Sequence, residues 1–99
     1  LDPEEPAVCN SLGVTLRVKG EFEKSAQCFK QALQLDPLDV AAHGQLGFVL
    51  RENGDLAGAE ESFQAALRLD PDDEDALEGM RLLSSESGEA NSSSPGSGA

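Results

Sequence analysis

Neither tryptophan nor tyrosine occurs in this chain of 99 residues, and phenylalanine occurs only four times. An apolar core must therefore come from Leu, Ala and Val, a set that favours helices over sheets. The two cysteines, Cys9 and Cys28, are too few and too far apart for a disulfide framework or a zinc cluster, and are read as reduced packing residues. Histidine occurs once, at His43. Basic residues are scarce as well: seven Lys and Arg stand against nineteen Asp and Glu, for a formal charge of -12. Charge of that sign repels phosphate backbones and anionic headgroups, so neither nucleic acid nor a membrane surface is an expected partner. No apolar run approaches the roughly 18–20 residues of a membrane span, so no membrane insertion is expected. No basic-then-apolar leader opens the sequence, which begins with Leu rather than Met and reads as an excised or processed segment. The cytoplasm is the expected compartment. A chain of this length holds one small domain and excludes a large enzyme core around a deep active site.

What the chain does have is a period. Leu-Asp-Pro stands at positions 1–3, 35–37 and 69–71, thirty-four residues apart each time. Laying residues 6–39 over 40–73 aligns Leu12 with Leu46, Gly13 with Gly47, Leu16 with Leu50, Gly20 with Gly54, Phe29 with Phe63, Ala32 with Ala66 and Leu33 with Leu67. Within a unit the apolar residues fall at helical spacing, first Val8, Leu12 and Leu16, then Phe22, Ala26, Phe29, Ala32 and Leu33. Gly20 and Gly54 interrupt the pattern halfway, where a helix end needs a left-handed backbone. Each unit is thus predicted to be a helix, a tight turn and a second helix. Pro37 and Pro71 cannot continue a helix, and they push the residue before them towards extended geometry. Leu-Asp-Pro is therefore the stop signal of each second helix, with Leu expected to make the last core contact and Asp to bond within the turn. Asp39 and Asp73 stand where an N-cap is wanted, and Pro6 suits a first helical turn. The copy at 1–3 has no helix before it and reads, with residues 4 and 5, as the stub of an upstream unit or a linker.

These residues resemble the tetratricopeptide repeat, a 34-residue helix-turn-helix family with the pattern W-x2-L-G-x2-Y, A-x3-F and P. Unit one reads Cys9-x2-Leu12-Gly13-x2-Leu16, Ser25-x3-Phe29, Ala32 and Pro37. Unit two reads His43-x2-Leu46-Gly47-x2-Leu50, Ala59-x3-Phe63, Ala66 and Pro71. The departures are Cys9 and His43 at the Trp position, Leu16 and Leu50 at the Tyr position, and Ser25 at an Ala position, all changes of size within a packed core. A third unit opens with Glu74, Ala76, Leu77, Met80 and Leu83, but Arg81 takes the place of Gly13 and Gly47, where it would block close approach of a paired helix. The expected fold is all-α, an α-solenoid fragment of two full repeats, 6–39 and 40–73. A capping helix follows over 74–85, with Asp75, Glu78 and Arg81 as its polar outer face and Leu77 among the residues covering the second repeat. Residues 86–99, rich in Ser and Gly, are expected to be disordered, and the sequon at Asn91 is read as chance.

Chemistry is not visible in the sequence. His43 sits at a buried aromatic position of the repeat with no nucleophile or metal ligand beside it. The acidic run from Asp70 to Glu78 lacks the D-x-D-x-D-G framework of a calcium loop, and no glycine cluster forms a phosphate cradle. No enzyme, cofactor or metal is expected. A surface remains, because the resemblance implies that the first helices of successive repeats line a concave groove. It nominates Asn10, Val14 and Arg17 from the first repeat and Gln45, Phe48 and Arg51 from the second as the residues that hold a protein or peptide partner, with Asp75, Glu78, Gly79 and Leu82 extending the face. The carboxylate clamp of chaperone-binding repeats is absent here, since its places hold Asn10, Val14, Gln45, Asp75 and Gly79, and an asparagine ladder would need Asn at Ser11, Gln45 and Gly79. Arg17 and Arg51 are expected either to receive a partner's carboxylate or to pair with Glu21 and Asp55, four residues on. The alternatives to a scaffold or adaptor are self-association as a homo-oligomer, or a structural segment of a longer array with any enzyme domain outside it.

Overall fold

The computed structural model describes residues 6–87. Over that span the chain forms α1 (Pro6–Val18), α2 (Phe22–Leu35), α3 (Val40–Glu52), α4 (Leu56–Leu69) and α5 (Glu74–Ser87). The stub at 1–5 and the tail from 88 onward, with Asn91, lie outside the described residues. Helix α5 runs two residues past its predicted end at 85. The helices pack in sequence order, α1 on α2, α2 on α3, α3 on α4 and α4 on α5, and α3 also touches both α1 and α5.

Each turn is built twice from the same parts. Gly20 and Gly54 take φ of 85° and 90°, where a side chain would be strained. The residue after each glycine then closes the helix end: Glu21 N–H donates to the Leu16 carbonyl at 2.9 Å, and Asp55 N–H to the Leu50 carbonyl at 2.8 Å. With Gly20 N–H on Arg17 and Gly54 N–H on Arg51, both turns satisfy their terminal carbonyls in the two-bond pattern of a glycine-capped helix. At the Leu-Asp-Pro stops the aspartate does the turning. Asp36 Oδ1 accepts from Leu38 N–H at 3.2 Å and Asp70 Oδ1 from Asp72 N–H at 3.1 Å. Three residues on, Asp39 caps α3 through Ala42 N–H and Asp73 caps α5 through Ala76 N–H. The leucines of these stops are 42% and 39% exposed at Leu35 and Leu69, so the expectation that they make the last core contact is corrected. The chain has already turned away from the core by then, and the side chain follows it out.

Phe29 and Phe63 are wholly buried, as are Ala32, Ala42, Val49, Ala59, Ala66 and Ala76. Burial of such a phenylalanine stabilises by about 1.5–3 kcal/mol. The rings fit because the facing helix has no side chain there: a Cβ on Gly13 would lie 2.7 Å from Phe29 Cζ, and one on Gly47 2.6 Å from Phe63 Cε1. Gly79, expected on the binding face, is instead pressed on the same Phe63 ring from α5. Arg81 blocks nothing; it is exposed and bonds Glu78 at 2.7 Å. The close approach of α5 uses the side of the helix that meets the preceding repeat, two residues from the glycine position that meets a helix's own partner. Ser25, at a position where the second repeat has Ala59, is fully buried and donates to the Gly13 carbonyl at 2.5 Å, so its polarity is used rather than tolerated.

Two core expectations need correction. Leu12 is 49% exposed and Leu77 48%. The residues one period after Leu12 and Thr15, Leu46 and Val49, are 6% and 0% exposed, because α2 lies against them. No described helix precedes α1, so the same face of α1 stays open. Leu77 projects from the outer side of α5, where no described helix follows, and the side chains of Ala76, Met80 and Leu83, with Gly79 against Phe63, make the cap's contact with the core.

Candidate functional site

The first helices of the pairs, α1 and α3, together with α5, form one side of the molecule, and the nominated residues distribute unequally over it. Val14 is 40% exposed on α1. Phe48, on α3, is half-buried, its ring meeting Phe63 edge-on at a centroid distance of 5.0 Å and 74° between planes. That geometry suits the ring quadrupoles and fixes Phe48 in place from below. Arg17 lies over the other side of Phe48, its guanidinium carbon 5.7 Å from the ring centroid, close enough for a cation–π contact. Arg17 in turn meets Glu52 with two bonds, Nε to Oε1 at 2.8 Å and an Nη to Oε2 at 2.9 Å.

This pairing corrects the expected partner. Glu52, thirty-five residues away, holds Arg17, while Glu21 pairs with Lys24 and Lys19. Asp55, the expected partner of Arg51, accepts from Gly58 N–H as the N-cap of α4. The Glu52 bond raises the Arg17 guanidinium above its ordinary value, against a smaller opposing effect of burial, so Arg17 keeps its charge at any working pH. Both side chains are about 30% exposed, which leaves the pair screened and of modest strength. A double-mutant cycle on Arg17→Ala and Glu52→Ala is expected to give a coupling of about 0.5–1 kcal/mol in chemical denaturation. A coupling indistinguishable from zero would mean that the contact contributes nothing in solution.

The carboxamides are set deeper. Asn10 donates through Nδ2 to Asp39 Oδ2 at 2.9 Å, and its Oδ1 is enclosed with no partner. Gln45 Oε1 is enclosed in the same way. These atoms are shielded by the protein itself, so the outward-facing part of the site is Val14, Phe48, Arg17 and Arg51, the last of them half-buried. Sequence reasoning missed Glu52 as the partner of Arg17, and the signal lay in the register: Glu52 stands on the next first helix, one period and one residue on.

Elsewhere little chemistry gathers. His43 is half-buried rather than buried, with Nε2 at 3.0 Å from the Pro37 carbonyl, to which it donates. It lines a cleft of about 430 Å³ with Leu33, Leu46, Ser62 and Arg68. Cys9 and Cys28 are not joined in a disulfide, and burial, then the proximity of Cys9, pushes the Cys28 thiol up and away from reactivity. Among the described residues no three His, Cys, Asp or Glu side chains converge as a metal site, and no helix is long and apolar enough to cross a membrane.

Antiparallel helix pairs recurring every 34 residues, each pair packed on the next, define a helical-repeat protein of the solenoid class. Comparison with known proteins gives the family: residues 11–74 match the tetratricopeptide repeat, and the chain belongs to that family. No curated protein matches it. Among solved structures it is similar to the crystal structure of MamA, with a TM-score of 0.83 and 20% identity over 89% of this chain and 52% of that one. That likeness is one of fold, and the chain spans about half the length of MamA. Family and fold together make the chain a helical-repeat protein-interaction module.

Proposed function

We propose that the α1–α3–α5 side holds a peptide or helix of a partner protein, with Val14 and Phe48 as the apolar anchors and Asn10, Arg17, Gln45 and Arg51 framing them. The observation that carries this reading is the pair of apolar side chains on the first helices, Val14 at 40% exposure on α1 and, on α3, a half-buried Phe48 held by Phe63 and Arg17. A rigid aromatic on the same side as an exposed aliphatic group is the kind of anchor on which binding energy concentrates. One such anchor supplies about 1.5–3 kcal/mol, so affinity is expected to be micromolar. The chain acts as a scaffold or adaptor rather than as an enzyme. Val14→Glu, on an exposed position, is expected to leave the melting temperature unchanged and to weaken capture of a binding partner at least tenfold, about 1.4 kcal/mol. Full retention of binding by a folded Val14→Glu protein would remove Val14 as an anchor. Phe48→Ala is a weaker test by itself, because it also loosens Phe63.

A second reading, a self-associating or internal segment of a longer array, is favoured by one observation. Ala7, Val8, Ser11, Leu12 and Thr15 line an open groove of about 450 Å³ on α1, the face that a preceding second helix covers on α3 and α5. Sedimentation over a wide concentration range separates homo-oligomer from monomer. A monomer throughout would leave this face to an upstream repeat.

A further inference from the structure

We infer that the segment recognised by the α1–α3–α5 side is cationic: a peptide of a partner protein that sets an apolar residue against Val14 and Phe48 and a Lys or Arg against Asp75 and Glu78. The inference rests on the interaction reading above and narrows it to one chemistry.

The apolar and acidic parts of the surface adjoin because of Gly44. With no side chain there, the first turn of α5 comes up to α3, and a Cβ on Gly44 would find Asp75 Cβ at 3.7 Å and Asp73 Oδ2 at 3.9 Å. Asp73 is engaged as the cap of α5 and Asp39 as the cap of α3, where the helix dipole offsets part of their charge. Asp75 is exposed, and Glu78 follows it one turn on along the same side of α5. Among the described residues no ion pair involves Asp39, Asp73 or Asp75.

Two cations of this side, Arg17 and Arg81, are committed to the chain's own carboxylates. Arg17 has both of its bonds on Glu52 and is held over Phe48, and Arg81 leans on Glu78. A carboxylate arriving at Arg17 would have to displace Glu52 and then sit beside it, with like-charge repulsion opposing entry. A cation meets the opposite situation. It finds Asp75 open, Glu78 only partly offset by an exposed Arg81, and a long-range field set by the -12 charge, of which residues 40–99 carry -9. Such a field raises the encounter rate with cationic segments and lowers it with anionic ones.

The test uses a short fluorescent peptide in which Lys and Leu are spaced by Gly and Ser, and its twin with Glu in place of every Lys, each titrated into the full chain by anisotropy. The Lys peptide is expected to bind, more weakly at high salt, and the Glu peptide not to bind. The double variant Asp75→Asn, Glu78→Gln is expected to lower the Lys peptide's affinity about tenfold, or 1.4 kcal/mol. The double variant Glu60→Gln, Glu61→Gln removes the same charge from exposed positions of α4 and is expected to change it less than about twofold. Equal losses in the two variants would reduce the attraction to diffuse charge and overturn the inference. Preferential binding of the Glu peptide, abolished by Val14→Glu, would overturn it while leaving the interaction reading in place. Binding of neither peptide would also overturn it, and the interaction reading would then stand or fall on the Val14→Glu capture experiment alone.

Discussion

Phe63→Ala is expected to destabilise the protein by about 3–5 kcal/mol, a large share of the roughly 5–15 kcal/mol that a small domain holds. The cost of such a truncation depends on whether the surroundings can collapse into the void. Around Phe63 they cannot, because two of its walls are the backbones of Gly47 and Gly79, which carry no side chain to swing inward. A third contact, the edge-on Phe48 ring, would lose its aromatic partner and with it a further fraction of a kcal/mol. Phe29→Ala is the internal comparison. Phe29 is equally buried and seated on Gly13, but it has no described aromatic partner, and its loss is expected to cost less. Urea titrations followed by far-ultraviolet dichroism give both values. A Phe63→Ala protein within about 1 kcal/mol of the parent, or less affected than Phe29→Ala, would show that the ring is not the joint of α3, α4 and α5.

Removing α5, residues 74–87, is expected to leave the chain without a cooperative thermal transition. Ala76 and Leu83 are buried at 0% and 5% exposure, Met80 packs on the same cluster, and Gly79 closes over Phe63. Without them Phe63, Ala66 and the downstream side of α3 face water, which a two-repeat array cannot offset. Leu83→Ala grades the effect, at about 2–5 kcal/mol. Dichroism together with light scattering checks the outcome. A truncated chain that melts cooperatively near the parent temperature would remove the capping role of α5.

The turns and caps were legible in the sequence because their chemistry is local. Gly20, Gly54, Asp39, Asp73 and the two prolines act on neighbours within four residues, and each does what its spacing implies. The period aligned Gly13 with Gly47 and Phe29 with Phe63 and marked the glycines as points of close helix approach, while the seating of each phenylalanine ring on a glycine is seen only in the structure. Apart from Leu35 and Leu69, which follow the turning chain out of the core, the misjudged positions depend on a neighbour that periodicity alone does not supply. Leu12 and Leu77 have the composition of core residues and lack a described helix to cover them. Gly79 shares the groove register of Ser11 and Gln45, and its contact with Phe63 arises from the packing of one helix pair on the next, which the period within a pair does not show. Arg17 was matched to Glu21 by the within-helix rule of four, and its partner stands on another helix. In the candidate site, the outward direction of Val14 followed from the resemblance to the repeat family, while the enclosure of Asn10 Oδ1 and Gln45 Oε1 did not, since it is set by how far apart α1, α3 and α5 pack.

The seat of Phe63 between two glycines also orders the sequence in which the molecule comes apart. Ring and backbone there mesh with nothing flexible between them, so α3 and α4 with the inner half of α5 open only when the whole fold opens. Helix α1 has one covered face and one bare one, with Leu12 already half in water, and its opening uncovers Phe29 and Cys9 but leaves the seat of Phe63 closed. Amide hydrogen exchange should accordingly run as a gradient along the chain, fast through α1 at a small opening free energy and slowest around Val49 and Phe63, where it approaches the global value.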